Sequence, residues 1–485
     1  MKLWGTMHGG LRRTTVVTAG LVAFLVGLAL ARLPGGFVWL VISVLSFLLC
    51  LKFRRLAVLS IILASSMSIG FLRGTTFAHQ LSPYRAVAFK TVTLEVRAET
   101  DAVYDDKKQL AFDAGSVRLL EPYATAVPGR LKVSGFGERA VYRGDVVRIS
   151  GRMYPGRGSW QGFVSFATLR VISRNASYID KARLRFVAGM QTALPEPQAS
   201  FGLGLLVGQR STLPEALAMA LSAVGLTHII AVSGYNLTIL VRFVRRAGRK
   251  RSKYQLTVFS LVLIVAFLLV TGLSASIVRA ALVSVLSLWA WYYGREFSPL
   301  LLLALAAALT AAWSPLYIWS DIGWYLSFLA FFGVMILAPL AVRRLHGVRQ
   351  PNAFVLLLYE CIAAQVMTLP LILFIFQEMS LVAVVSNLLV VPLVPVAMAC
   401  SLLAGLGGMF VPTLAAWLAV PARILLTYML DMVGLFARIP HAVVQRSLSV
   451  AGLVLIYSCL LVMSLLLWKT TGVKRGILPK SEDPS

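Results

Sequence analysis

The run HIIAVSGYNLTIL, residues 228 to 240, is apolar enough for a membrane span, yet it carries His228, Ser233, Asn236 and Thr238. Side chains that hydrogen bond or titrate are costly in hydrocarbon, so their presence marks contact with other helices or a wet cavity. On a regular helix the ~100° step puts Tyr235 almost beneath His228, Asn236 about 80° away and Ser233 about 140° away. Polar groups then occupy most of the circumference, which a lipid-facing helix cannot tolerate. Two readings follow: hydrogen bonding between helices, or a break at Ser233 and Gly234 that opens backbone groups to water. Arg279, Asp321 and Asn387 each lie four to eight residues inside the outer end of an apolar run, and His228 is similarly shallow. At 1.5 Å per residue that is roughly 6 to 12 Å deep. A polar vestibule would gather all four, and Glu360 and Gln365 would continue it inward. His228, Ser233, Gly234, Asn236, Arg279, Asp321, Glu360, Gln365 and Asn387 are therefore the candidate lining residues. Arg279 has an alternative, snorkelling to the interface, and Asp321 has one in pairing with it.

A second set lies between residues 86 and 176, where 14 Lys and Arg stand against 9 Asp and Glu, a net of +5. Phe136, Tyr142, Tyr154, Trp160, Phe163 and Phe166 are interleaved there with Arg139, Arg143, Arg152 and Arg157. Single strands of nucleic acid are held by this pairing of base stacking with phosphate contacts. The candidate contacts are Arg139, Arg143, Arg152, Arg157, Tyr142, Tyr154, Trp160 and Phe163; the plainer reading is that many of these aromatics fill a core. Asp101, Asp105, Asp106 and Asp113 have a spacing that suits a weak metal site or, more simply, a solvated loop. The sequence contains no GxxxxGK[ST] and no HExxH, its five histidines are scattered, and all four cysteines (Cys50, Cys361, Cys400, Cys459) fall in apolar runs. No enzyme motif, cofactor or metal is indicated.

The elements that carry these residues belong to two classes. Hydrophobic residues make up 58% of the 485 and charged ones 13%, and several apolar runs reach the ~20 residues that cross a bilayer. Candidate spans are 16 to 33, 36 to 51, 56 to 72, 225 to 241, 254 to 272, 274 to 293, 297 to 313, 317 to 340, 352 to 376, 380 to 407 and 447 to 468. Residues 411 to 438, interrupted by Arg423 and Asp431, read as a short span plus a helix in the interface. The fold class expected is an all-α polytopic membrane protein of about ten to twelve helices. The net charge of +27 is partly accounted for by basic loops that the positive-inside rule puts in the cytoplasm: Arg12 and Arg13, KFRR at 52 to 55, RFVRRAGRKRSKY at 242 to 254 and VRRLHGVR at 342 to 349. The first run and Ala29-Leu30-Ala31 could also serve as a cleaved signal. Either way residues 73 to 180 lie outside. There the pattern turns to alternation, in TVTLEVRAE (91 to 99), RLKVSGF (130 to 136), GDVVRISGRMY (144 to 154) and FVSFATLRVI (163 to 172). About five short strands suit a small closed barrel of OB-fold type, which offers a groove for oligonucleotides. The organisation expected is membrane helices at 1–75, the OB-fold-like domain at 76–177, amphipathic surface helices at 178–224, a helical core at 225–470 and a polar basic tail at 471–485.

GLTHIIAVSGYNLTIL at 225 to 240 resembles the signature of the ComEC competence family, inner-membrane channels for DNA uptake in bacteria. LLVGQRS at 205 to 211, SASIVRAALVS at 274 to 284, IGWYLSFLAFFGV at 322 to 334, AAQVMTLPLILFIF at 363 to 376 and SNLLVVPLVP at 386 to 395 agree with family segments in order and spacing. The resemblance covers roughly 20 to 470. It implies a plasma-membrane channel that admits single-stranded DNA, served by an outer DNA receptor and a cytosolic translocating ATPase. There are departures: Asn236 stands where the family usually has a histidine, and Gln209 where an acid is usual. Many members also carry a C-terminal metallo-β-lactamase-like nuclease domain, and this sequence, ending at Ser485, is expected to be the form without it. Two other functions fit parts of the sequence: a permease for a small anionic solute, and a membrane-anchored metal-dependent nuclease acting through the extracytoplasmic acids.

Overall fold

The computed structural model describes residues 13–49, 57–105, 107–122, 124–174, 177–208, 213–230, 252–271, 275–294, 298–347 and 351–471. The chain divides into two compact units, Met1–Arg174 with Phe297–Phe328 and Asn175–Glu296 with Leu329–Ser485. Seven described helices are long and apolar enough to cross a membrane, among them Arg13–Leu30, Ala57–Gln80, Ala383–Phe410 and Val450–Thr470. Shorter apolar helices include Lys253–Leu269, Ile277–Tyr292 and Pro299–Trp313. Residues 411 to 438, expected as a short span plus a helix in the interface, form the candidate span Val420–Ala437 preceded by short helices at Pro412–Leu414 and Ala415–Leu418. In that span Ala422, Leu426, Met429 and Val433 are buried while Arg423 and Asp431 are exposed, so the two charges do not break the helix.

In the first unit Arg13–Leu30 and Ala57–Gln80 cross with their backbones nearly touching. A methyl group at Gly27 would run into the Met67 carbonyl, and one at Gly70 into that of Phe24. Small residues at the crossing are how helices associate where lipid removes the hydrophobic incentive. Pro299–Trp313 packs on Arg13–Leu30, and from Ala57–Gln80 Arg73 donates from Nε to Ala312 O (2.9 Å) and from Nη2 to Trp313 O (3.1 Å). A guanidinium there satisfies carbonyls the helix itself leaves unpaired and sits at the negative end of its dipole.

The strands of this unit are β1 (Thr91–Ala98), β2 (Val103–Tyr104), β3 (Leu110–Glu121), β4 (Thr125–Val127), β5 (Leu131–Phe136), β6 (Val146–Pro155) and β7 (Gly162–Ser173). Pairing runs β1–β6–β7–β5–β3 and returns from β3 to β1, with β5 and β7 parallel and the other neighbours antiparallel; β2 and β4 attach to β3. Alternation sends Val92, Leu94 and Val96 of β1 inward with Phe112, Val133, Ile149, Met153 and Val164, all at most 2% exposed. β7 departs from strict alternation. Gly151 of β6 faces two residues, Phe166 and Ala167, and Phe166 has φ of +54°. This bulge turns Phe166 outward, 62% exposed, and the buried Gln109 side chain accepts its N–H at 3.1 Å.

The second unit has the largest apolar core, and Gln198–Val207 lies within it. Eight of the ten residues of that helix are buried. Where 178 to 224 read as amphipathic surface helices, this one is enclosed on all sides, as its nearly uniform apolar composition permits. The preceding helix, Tyr178–Ala193, packs on Val394–Phe410 through Gly189 and Gly408, where a methyl on Gly408 would strike the Gly189 carbonyl.

Candidate nucleic-acid interface

The outward face of the sheet is built row by row. Asp113 of β3, Lys132 of β5, Phe163 of β7 and Tyr154 of β6 are successive neighbours in register, a stripe across four strands. At ~4.8 Å per strand the stripe is about 14 Å wide. Over it stands Trp160, from the β6–β7 loop, whose Nε1–H donates to Asp113 Oδ1 at 2.9 Å. The Lys132 ammonium lies 5.1 Å from the centre of the indole ring, and Phe163 meets it edge-on at 5.5 Å. Arg152 extends the stripe: its guanidinium is 5.9 Å from the Tyr154 ring centre, and Nε donates to Phe89 O at 3.0 Å. Four of the eight expected contacts, Arg152, Tyr154, Trp160 and Phe163, are thus brought together. Arg157 is exposed on the loop that carries Trp160.

The other three are not part of this stripe. Arg139, Tyr142 and Arg143 lie in the loop before β6, at the opposite end of that strand, some 26 Å from Tyr154 by strand rise. There Arg174 covers the Tyr142 ring at 5.9 Å, the Arg143 N–H donates to Asp101 Oδ1 (3.0 Å), and the Tyr104 hydroxyl donates to Arg139 O (3.2 Å). Sequence reasoning left out Lys132 and Phe89, and it named Phe136 and Phe166 among the aromatics without taking them as contacts; their rings are 6.5 Å apart, with the Lys107 ammonium 5.5 Å from Phe166. The strand registers would have revealed Lys132; nothing local announces the bulge that exposes Phe166.

The acids proposed as a metal site are engaged singly. Asp105 Oδ1 accepts the N–H groups of Lys107 (3.0 Å) and Gln109 (2.8 Å), closing its own turn, and Asp106 lies outside the described residues. Among the described residues no three of His, Cys, Asp and Glu come together as metal ligands. Burial raises the Asp113 carboxyl above its ordinary pKa, against the lowering effects of the Trp160 hydrogen bond, Arg130 and Lys132. The folded chain then holds this proton to higher pH than the unfolded one. The stabilisation is complete below the ordinary carboxylate value and declines as pH rises through the raised one. Asp113→Asn keeps an acceptor for Trp160 but does not titrate. Thermal melts of the full chain in detergent should therefore shift in the variant's favour from about pH 4 upward. A difference independent of pH would show that Asp113 ionises normally.

Of the candidate lining residues, Ser233, Gly234 and Asn236 lie outside the described residues. His228 is the second residue of a short helix, Thr227–Ile230, is exposed, and has Nδ1 3.1 Å from Gly225 O. The turn before it is wedged against Ala383–Val390: a Cβ on Gly225 would come within 2.7 Å of the Ala383 methyl, and Ser386 Oγ donates to Val224 O at 2.7 Å. So GLTHII and SNLLVV, far apart in the chain, are built against each other. Beside that bond Asn387 has a buried Oδ1 with no hydrogen-bond partner among the described residues. Arg279 is 3% exposed, and Glu360 and Gln365 are half-buried on Ala353–Phe376. Asp321, in the first unit, accepts the Trp324 N–H at Oδ1 (3.1 Å), capping the helix Ile322–Phe332.

The sequence model of a family described as Competence protein matches residues 205–471, more than half of the chain. ComE operon protein 3 of Bacillus subtilis (strain 168) is 24% identical over 244 residues, which are 48% of this chain and 30% of that protein. The chain therefore matches less than a third of that relative's length. No solved structure matches.

Proposed function

The chain belongs to the Competence protein family, and on that premise we propose that it is a channel through which single-stranded DNA crosses the plasma membrane into the cytoplasm. The strand domain is the receiver, on the outer side, and the helices of the second unit conduct. The observation that carries this reading is the Trp160–Lys132–Phe163–Tyr154 stripe, where aromatic rings stand beside the cations Lys132 and Arg152, the pairing that unpaired bases and phosphates require. Pairing in the order β1–β6–β7–β5–β3–β1, with one parallel contact, supports an OB-fold-like barrel. In such a barrel the second and third strands and the loops 1–2 and 4–5 bind oligonucleotides; here those are β3, β5, the loop with Lys107 and the loop with Arg157 and Trp160. Ser320 Oγ donates to Gly158 O at 2.8 Å, so the Trp160 loop is tied to the residue before the Asp321 cap. His228, Ser233, Gly234, Asn236, Arg279, Glu360, Gln365 and Asn387 are the proposed lining of the channel, with an outer receptor supplying DNA and a cytosolic ATPase drawing it in.

Reconstitution tests the proposal. Vesicles containing the purified chain, with a single-strand-binding protein trapped inside, should accumulate labelled single-stranded oligonucleotide and not duplex. A Ser159→Cys label in a cysteine-free background reports which molecules have the strand domain outside, and uptake should scale with them. Accumulation no greater than in empty vesicles would end the channel reading.

A further inference from the structure

Between Tyr178–Ala193 and the end of Val394–Phe410 lies a groove of about 420 Å³ lined by Arg185, Gly189, Thr192, Gly408, Met409 and Phe410. Its floor is the glycine contact between the two helices, and its polar wall is Arg185. Arg185 shares a helix face with Lys181, one turn earlier, whose ammonium lies 5.8 Å from the ring of the exposed Tyr178. Among the described residues neither cation has a carboxylate within ion-pair distance. The apolar wall continues past Phe410 (70% exposed) into the short helices of 411 to 419, a segment that contains no charged residue and exposes Leu414 (55%) and Trp417 (78%). The span that ends at Phe410 has 28 residues. At 1.5 Å each it is roughly 42 Å long, the thickness of a bilayer with its headgroups, so its end lies at the level of lipid phosphates.

We propose that this groove binds one anionic phospholipid, its phosphate held by Arg185 with Lys181 nearby and its acyl chains lying along Phe410, Leu414 and Trp417. Charge complementarity selects the headgroup: two cations without acidic partners face a level of the membrane rich in phosphate. Thr192 does not compete as a donor, since its hydroxyl is committed to Ala188 O at 2.9 Å. The bound lipid would pin to the bilayer the first helix that follows β7 in the chain. This inference requires only that the chain spans a membrane, and it stands apart from what the chain conducts.

The full chain in nanodiscs of mixed phosphatidylglycerol and phosphatidylcholine, released into a native mass spectrometer, should retain phosphatidylglycerol in preference. Arg185→Ala should lower that retention about fivefold, the effect of one cation near a charged membrane surface, and Arg185→Lys should restore most of it. Because Arg185 is exposed, both variants should melt like the parent. Equal retention of the two lipids, or an unchanged preference in Arg185→Ala, would overturn the proposal. So would displacement of the lipid by millimolar inorganic phosphate or by a single-stranded oligonucleotide, either of which would assign the groove to a soluble anion.

Discussion

Replacing Trp160 with Ala in the full-length chain is expected to weaken single-stranded DNA binding roughly 5- to 150-fold, the range set by about 1 to 3 kcal/mol for one stacked base. The structure gives this residue more to do than its neighbours. Its indole is fixed by Asp113, flanked by Phe163 and faced by Lys132, so the ring is already oriented when a base arrives. A base stacking on that face displaces the ammonium towards the adjoining phosphate. Lys132→Ala should therefore lower the dependence of log affinity on log salt by ~0.7 as one phosphate contact is lost. Trp160→Phe separates stacking from folding: it removes the hydrogen bond to Asp113 but keeps an aromatic face, and most of the binding should survive. Tyr142→Ala, at the opposite end of β6, should matter less. Fluorescence anisotropy with a labelled oligonucleotide at several salt concentrations measures all four. Should Trp160→Ala bind as the parent does while Tyr142→Ala does not, the receiving surface is the other end of the domain.

Asn387→Leu is expected to leave the chain folded, with a melting temperature equal to or above that of the parent, and to lower DNA entry at least tenfold. The reasoning starts from one atom. Asn387 Oδ1 is buried and lacks a hydrogen-bond partner among the described residues, next to the bond that joins Ser386 to Val224. Replacing an unsatisfied buried polar group with an apolar one of similar size is close to neutral or stabilising. If the amide instead faces water along a conduit, Leu makes that wall dry and narrows it, and transport is lost although stability is not. His228→Ala, at the beginning of the segment packed against the same helix, should act in the same direction. Uptake is to be expressed per folded molecule, so that a drop in expression cannot imitate a blocked path. Normal uptake per molecule in both variants would make Asn387 and His228 packing residues and remove the vestibule from the mechanism.

Patterns that are local in the chain were legible in the residues alone. A helix must satisfy its own backbone in lipid, so long apolar runs such as 56 to 72, 352 to 376 and 447 to 468 could only become helices. An alternating strand shows one face to a core, so TVTLEVRAE and RLKVSGF declared their inward residues. The quoted motifs declared the family for the same reason, since each is a short contiguous string. Everything that required two distant segments to meet was decided by the tertiary structure. β3, the strand at one end of the proposed binding stripe, escaped notice because Gly115 and Ser116 break its alternation; only its neighbours β1 and β5 make it a strand. Strict alternation from Val164 would bury Phe166, and a bulge opposite Gly151, held by Gln109 from the loop before β3, exposes it instead. The uniformly apolar Gln198–Val207 could lie in a core or against lipid until the surrounding helices enclosed it. The eight expected DNA contacts likewise form one run in sequence, yet the ~26 Å length of β6 divides them between two ends of the domain. A strand's period is a property of neighbouring residues, but its register, its bulges and the cover on its outer face belong to whatever packs beside it.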